Sequence, residues 1–364
     1  AVASLAIAVS MLIGITLMIG SFKKTLEVWI GTSVQADIYI APTSWRGKGS
    51  DGVLDPEVVA ALITHPDVAA VDRLRGFRAY TGGRRIALAG VEMGLPGGDS
   101  RFPLLSGDRD TAYHQVVENG AVFIGETLAR KVDLWAGDQL ALYTSNGEMS
   151  LKIAGVYYDY STDGGAVVMD LGTMTELFGD GPVNSVALYL KEGVDAEEVV
   201  DVLKASMEAT PLQIRSNQRL RAEVFKIFDQ TFAITQLLKG MSLLIAVCGI
   251  ALMLLVLARE QVSELALYRS IGARRRQIFS VFVGKGLGMG LFGLLLGSVG
   301  GVLLAGLLIF VINRAYFGWT IQPHFDGWPI LVQAVTILGA AVVASLYPAL
   351  RASRTPATEL SRDA

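Results

Sequence analysis

Four stretches of this chain, residues 1–22, 240–258, 286–312 and 327–350, contain no Asp, Glu, Lys or Arg. A helix rises 1.5 Å per residue, so about 20 apolar residues are needed to cross a hydrocarbon layer of about 30 Å. Inside lipid every backbone N–H and C=O must be paired within its own segment, so each run is restricted to a helix. A buried core helix could explain one such run, but not four of this length. The remaining composition agrees. Of 364 residues, 52% are hydrophobic and only 18% charged, against about 25% charged in soluble domains. The predicted fold class is an integral membrane protein with four transmembrane helices. A mixed α/β extracytoplasmic domain is inserted between the first and second helices.

Orientation follows from Lys and Arg in the short loops, which stay cytoplasmic. The loop after the second run carries Arg259, Arg269, Arg274, Arg275 and Arg276, and the tail after the fourth carries Arg351, Arg354 and Arg362. The loop at about 313–326 has only Arg314. Both termini and the basic loop are therefore expected in the cytoplasm, and residues 23–228 outside. Lys23 and Lys24 oppose this bias, but long translocated domains largely escape the rule. The outer segment holds 20 of the 31 basic and 28 of the 34 acidic residues. Such an acidic exterior lacks the basic face that nucleic acid requires. The first run has neither a basic n-region nor a small-residue cleavage site, so it reads as a span rather than a signal peptide. It opens on Ala1 without Met, which suggests a piece of a longer chain.

The expected division is 1–24 for the first span, 25–216 for the outer domain, and 217–364 for the rest. That last part comprises a stalk, spans at about 229–258, 284–312 and 327–350, a cytoplasmic helix at about 261–273, and a short tail. Within the outer domain, "ADIYIAP" alternates like a strand. "DPEVVAALITHP" offers Asp55 as N-cap and Pro56 at the first helical position. "VAAVDRLRGFRAY" and "RRIALAGVEM" read as strands joined at Gly82-Gly83. The segment from "ENGAVFIG" to "AGVYYDY" reads as strand, helix, strand, hairpin at Asn146-Gly147, and strand. "DAEEVVDVLKASME" is a helix with an acidic first turn, and "PLQIRS" a closing strand.

No chemistry surfaces in that domain. His65, His114 and His324 lie at no metal-ligand spacing, and Cys248 is single. Asp159, Asp163 and Asp170 flank "YDYSTDGG", which lacks the closing Glu of a calcium loop and reads as a turn. There is no G-x-x-x-x-G-K-[ST] loop to cradle phosphates. The chain is therefore expected not to be an enzyme, with no catalytic residue, metal or cofactor.

Two features of the membrane part stand out. The third span carries Gly286, Gly290, Gly293, Gly297 and Gly301 at three- and four-residue steps, a small face that lets helices approach closely. Ahead of it, "SELALYRSIGARRRQIFSVF" places Leu265, Tyr268 and Ile271 on one helical face, with Gly272 as the stop. This predicts a short amphipathic helix at the membrane surface, although a basic loop that only anchors topology would have the same composition.

That stretch, with Glu264, Leu267, Arg269, Ile271, Gly272, Ala273 and the arginines after them, closely resembles the cytoplasmic loop of FtsX-like ABC transporter permeases. This group includes the MacB-type and lipoprotein-sorting permeases. The ending "LYPALRASRTPATEL" resembles their exit from the last span, and "VFIGETLARKVDLWAGDQLAL" a recurring segment of their outer domain. The resemblance implies that Glu264, Leu265, Leu267, Tyr268, Arg269, Ile271, Gly272 and Ala273 form a coupling helix that binds a separate ABC ATPase subunit. It further implies pairing as a homodimer or with a second permease half, a possible periplasmic or outer-membrane partner, and a place in the bacterial cytoplasmic (inner) membrane. The implied task is to carry ATP-driven motion across the membrane, for export or extraction of a hydrophobic compound, lipid, lipoprotein or peptide. The alternative is a membrane-anchored regulator or sensor whose outer domain controls a cell-wall hydrolase or binds a ligand.

One mechanical expectation comes from the residues alone. Residues 217–258 contain no Pro and only two Gly, with Leu220, Val224, Ile227, Phe228 and Phe232 along one face. The pattern predicts a continuous stalk helix of about 60 Å that runs into the second span. The first span, through Phe22, Leu26 and Trp29, is its expected partner.

Overall fold

A computed structural model of the protein describes residues 2–45, 52–95, 98–145, 147–160, 164–261, 264, 267–268 and 271–354. Among these residues, four helices are long and apolar enough to cross a membrane: Leu5–Ser33, Asn217–Glu260, Arg275–Phe317 and Gly327–Ser353. The chain divides into two compact units. The membrane unit comprises Ala1–Lys24, Phe228–Ile312 and Ile321–Ala364; the outer unit comprises Thr25–Ile227 and Asn313–Thr320.

The first helix, α1 (Val2–Ser33), leads into the outer unit. There follow β1 (Ile38–Pro42), α2 (Pro56–Ile63), β2 (Val68–Thr81), β3 (Arg84–Val91), β4 (Leu104–Ser106), α3 (Arg109–Asn119), β5 (Val122–Gly125) and α4 (Glu126–Val132). The unit continues with β6 (Gln139–Thr144), β7 (Gly147–Tyr157), β8 (Ala166–Asp170), α5 (Leu171–Phe178), β9 (Ser185–Leu190), α6 (Ala196–Ser206) and β10 (Leu212–Ser216). The sheet order is β10-β1-β9-β2-β3-β8-β5-β7-β4, with β6 pairing β7.

The long β2 joins two halves of this sheet. Its residues up to Leu74 pair antiparallel with β9, and those from Arg75 onward pair antiparallel with β3. Each half has its own core. Ile38, Ile40, Leu62, Leu188 and Val200 fill one. In the other, strand alternation serves both faces: Leu88 joins Ile124, Leu128 and Ile153 on one side, while Ala89 and Val91 join Val116 and Val168 on the other. Aspartates start the helices. Asp55, Asp108, Asp170 and Asp195 each accept a hydrogen bond from a first-turn N–H of α2, α3, α5 and α6.

In the described residues after β10, α7 (Asn217–Glu260) is one helix of 44 residues, about 66 Å long at 1.5 Å per residue. α8 (Arg275–Gly306) passes through a π-helical turn, Leu307–Asn313, into the short α9 (Arg314–Phe317), and α10 (Gly327–Arg354) closes the described chain. The glycine stripe of α8 is buried against two neighbours. A Cβ at Gly286 or Gly290 would lie 2.6 Å from Ser345 Cβ or 2.7 Å from Ala341 Cβ of α10. At Gly293, Gly297 and Gly301 it would lie 2.4, 2.5 and 2.7 Å from Leu5, Val9 and Ile13 of α1. The small residues are thus spent on packing within the chain.

Candidate functional site

Between α7 and α8, Glu264, Leu267 and Tyr268 lie in a helical conformation. Leu265 and Arg269 lie outside the described residues. The stop at Gly272 has the chemistry its sequence foretold. Gly272 has φ +94°, the Ala273 N–H donates to the Tyr268 carbonyl at 2.9 Å, and the Ile271 N–H donates to Leu267 at 3.2 Å. A bond across six residues around a left-handed glycine is a Schellman cap, which a side chain at 272 would strain. The next helix starts at once, with the Arg274 N–H donating to Gln277 Oε1 at 2.7 Å.

The large apolar side chains described in this segment are exposed. Leu267 is 60% exposed, Tyr268 46% and Ile271 75%. Glu264, Tyr268, Ile271, Gly272 and Ala273 border a cavity of about 450 Å³ whose other wall is the start of α8, with Ile278, Phe282 and Lys285. Lys285 donates to Gln261 Oε1 and sits 5.6 Å above the Phe282 ring. An exposed Tyr with aliphatic neighbours beside a recess has the make-up of an interface anchor.

The other end of α7 is tied down, within the outer unit, by polar bonds to the end of α1. Asn217 Nδ2 donates to the carbonyls of Val34 and Ala36 at 3.0 and 2.7 Å, and Arg221 Nη2 donates to Val34 at 2.8 Å. The Val34 carbonyl is one that the C-terminus of α1 leaves open. Ser33 Oγ donates to the Arg101 carbonyl at 3.2 Å, and Gln35 Nε2 donates to Ser100 Oγ at 2.7 Å. Arg101 in turn is paired with buried Asp72 at 2.5 Å. Burial pushes the Asp72 carboxyl up, and the Arg101 guanidinium pulls it part of the way back.

A third arrangement was not legible in the sequence. Glu126, fully buried at the start of α4, accepts from Arg130 at 2.8 Å and from the N–H and Oγ1 of Thr320 at 2.9 and 2.6 Å. Tyr160 donates to the Thr320 carbonyl at 2.9 Å and stacks edge-on against Trp319, 4.8 Å between centroids. Burial and the nearby Glu126 charge push the Tyr160 phenol up from its ordinary value. The loop between the third and fourth spans is therefore docked in the outer unit by a buried carboxylate. The available signal was an acid at the end of an apolar strand, with Arg130 four residues on; nothing local points to Thr320. Of the aspartates flanking "YDYSTDGG", Asp170 spends its oxygens on the N–H groups of Met93 and Gly172, at 3.1 and 2.8 Å. Asp159 is buried, and Asp163 lies outside the described residues.

Residues 1–206 match the family model of the MacB-like periplasmic core domain, and residues 237–357 match the FtsX-like permease C-terminal model. The chain belongs to the FtsX-like ABC transporter permeases. It is an integral membrane protein with four spans and an extracytoplasmic α/β domain inserted after the first, as the charge-free runs predict. Over 359 residues, 97% of its length, this permease is 28% identical to an uncharacterized ABC transporter permease protein of Mycobacterium tuberculosis, of which it spans 42%. It is 24% identical over 284 residues to the lipoprotein-releasing system transmembrane protein LolC of Haemophilus influenzae, covering 71% of this chain and 69% of that one. It is also 29% identical over 206 residues to the macrolide export ATP-binding/permease protein MacB of Bdellovibrio bacteriovorus, covering 52% of this chain and 30% of that protein.

Proposed function

We propose that this chain is the membrane subunit of an ABC transporter in the bacterial cytoplasmic membrane, and that it transmits ATP-driven motion to its outer domain. The observation that carries this reading is the pairing of two ends on one helix. α7 is unbroken over 44 residues; at one end the exposed Leu267, Tyr268 and Ile271 follow it, and at the other Asn217 and Arg221 lock it to α1. A separate ATPase subunit docks on Glu264, Leu265, Leu267, Tyr268, Arg269, Ile271, Gly272 and Ala273. Tyr268 and the aliphatic residues fill its recess, and Glu264 and Arg269 pair at the rim. The permease works as a dimer, of two copies or with a second permease half. Its task is export or extraction of a hydrophobic compound, lipid, lipoprotein or peptide; the names of LolC, a lipoprotein-releasing protein, and MacB, a macrolide exporter, support the lipoprotein and hydrophobic-compound parts of that range.

The test begins with affinity purification from native membranes, which should recover an ATPase; recovery of none counts against the reading. In the purified complex, Tyr268→Ala with Arg269→Glu should separate ATP hydrolysis from transport while both units stay folded. If coupled activity survives that double change, the segment is only a topology anchor.

A further inference from the structure

Inside the outer unit, beside the bonds that hold α7 to the end of α1, lies a cavity of about 330 Å³. Its size falls near the lower end of small-molecule sites, about 300–1,000 Å³. The wall is mostly apolar and drawn from distant parts of the sequence: Trp29 of α1, Ile40 of β1, Leu74 of β2, Val91 of β3, Phe102 and Leu220 of α7. Aromatic and aliphatic walls of this kind hold the body of a ligand, and a few polar groups orient it.

The polar groups are unusual in kind. Arg101 and Trp45 both line the cavity, and Nη1 of Arg101 and Nε1 of Trp45 are buried with no acceptor among the described residues. Both atoms are donors only. The Asp72 carboxylate is already engaged. Asp72 Oδ2 takes Nη2 of Arg101 at 2.5 Å and Oδ1 takes the Glu92 N–H at 2.9 Å. A buried donor without a partner is costly, so an acceptor arriving from the cavity, met by a small turn of the indole or the guanidinium fork, is favoured. The wall charges are balanced. Arg101 is matched by Asp72, and Arg215 at the rim is paired with Glu223 at 3.2 Å. A carboxylate or phosphate would add an unmatched charge to a buried site, whereas a carbonyl oxygen would not.

We infer that this cavity is a binding site for an uncharged, largely apolar molecule that carries a hydrogen-bond acceptor, such as an aryl ketone, ester or lactone. The site is independent of the ATPase reading, since occupancy requires no nucleotide.

Benzophenone has this chemistry and crosslinks to nearby C–H bonds on illumination. The full-length permease in lipid nanodiscs is labelled with benzophenone, without ATP, and adducts are mapped by mass spectrometry. Labelling of the membrane spans by probe dissolved in lipid serves as the internal reference. Adducts are expected on Leu74, Val91 or Leu220, and Leu74→Trp, which fills the cavity, should lower them at least tenfold relative to the span adducts. Ala187→Leu narrows the opposite wall and should act the same way, which guards against misfolding of a single variant. Benzophenone-4-carboxylate should label the cavity at least tenfold less than benzophenone. Absence of cavity adducts, or adducts unchanged in both filled variants, overturns the site; stronger labelling by the carboxylate overturns the assignment of an uncharged ligand.

Discussion

The two units of this permease bury different things. In the outer unit the fully buried side chains are large: Leu88, Ile124, Leu128, Leu140 and Ile153 are all at 0% exposure. In the membrane unit many large side chains face outward, with Leu303 at 70% and Phe292 at 63% exposed, and between Gly286 and Gly301 the buried face of α8 is glycine, with Ile278 and Phe282 buried at its start. Water drives the first arrangement, since each apolar side chain removed from it stabilises the fold. Lipid offers no such drive, because its tails are as apolar as leucine, so helices associate through close approach. Removing atoms should therefore harm the outer unit, and adding them should harm the membrane unit.

The largest effect should come from Leu128→Ala, which empties part of a closed core and should cost about 2–5 kcal/mol. Urea unfolding in detergent, followed through the fluorescence of Trp135, measures it. Next, Gly297→Ala introduces a methyl 2.5 Å from Val9 Cβ, and overpacking of this kind costs about 1–3 kcal/mol. Thermal unfolding of the membrane unit checks this, and a harmless outcome would break the comparison. Glu126→Ala strips the Thr320 N–H and Arg130 of their acceptor, a loss of about 1–3 kcal/mol that should loosen the docked loop. Limited trypsin cleavage after Arg314 should then accelerate. The smallest effect belongs to Leu303→Ala, where lipid replaces the lost contacts; its stability should change by less than about 0.5 kcal/mol.

The same contrast decides what the sequence could reveal. Membrane helices are written locally: charge-free length marks the spans, and the lack of Pro with only two Gly marks the continuous α7. The Schellman stop at Gly272 is local too, as are the Asp55 and Pro56 start of α2 and the acidic first turn of α6. Two helices of the outer unit escaped the reading although their caps were present. α3 follows Asp108 and ends at Gly120, with a weak apolar pattern, and α5 follows Asp170 directly at the end of an apolar strand. What lay beyond reach depends on distant partners. Glu126 and Thr320 are 194 residues apart, and Asp72 meets Arg101 across 29. No periodicity encodes either pairing. The stripe of glycines announced close packing, but only the fold identifies Leu5, Val9 and Ile13 of α1 as what it packs against.

In the proposed mechanism, the continuity of α7 carries motion between the coupling segment and the outer unit. Two glycines inserted after Gln230 interrupt that helix while leaving Tyr268 at one end and Asn217 at the other unchanged. Hydrogen exchange is measured at the backbone amides around Asn217 and Val34, in the permease bound to its ATPase, with and without ATP. An ATP-dependent change in exchange is expected there for the intact helix, and its loss in the insertion variant, which still binds the ATPase. The same ATP-dependent change in both proteins would contradict that mechanism.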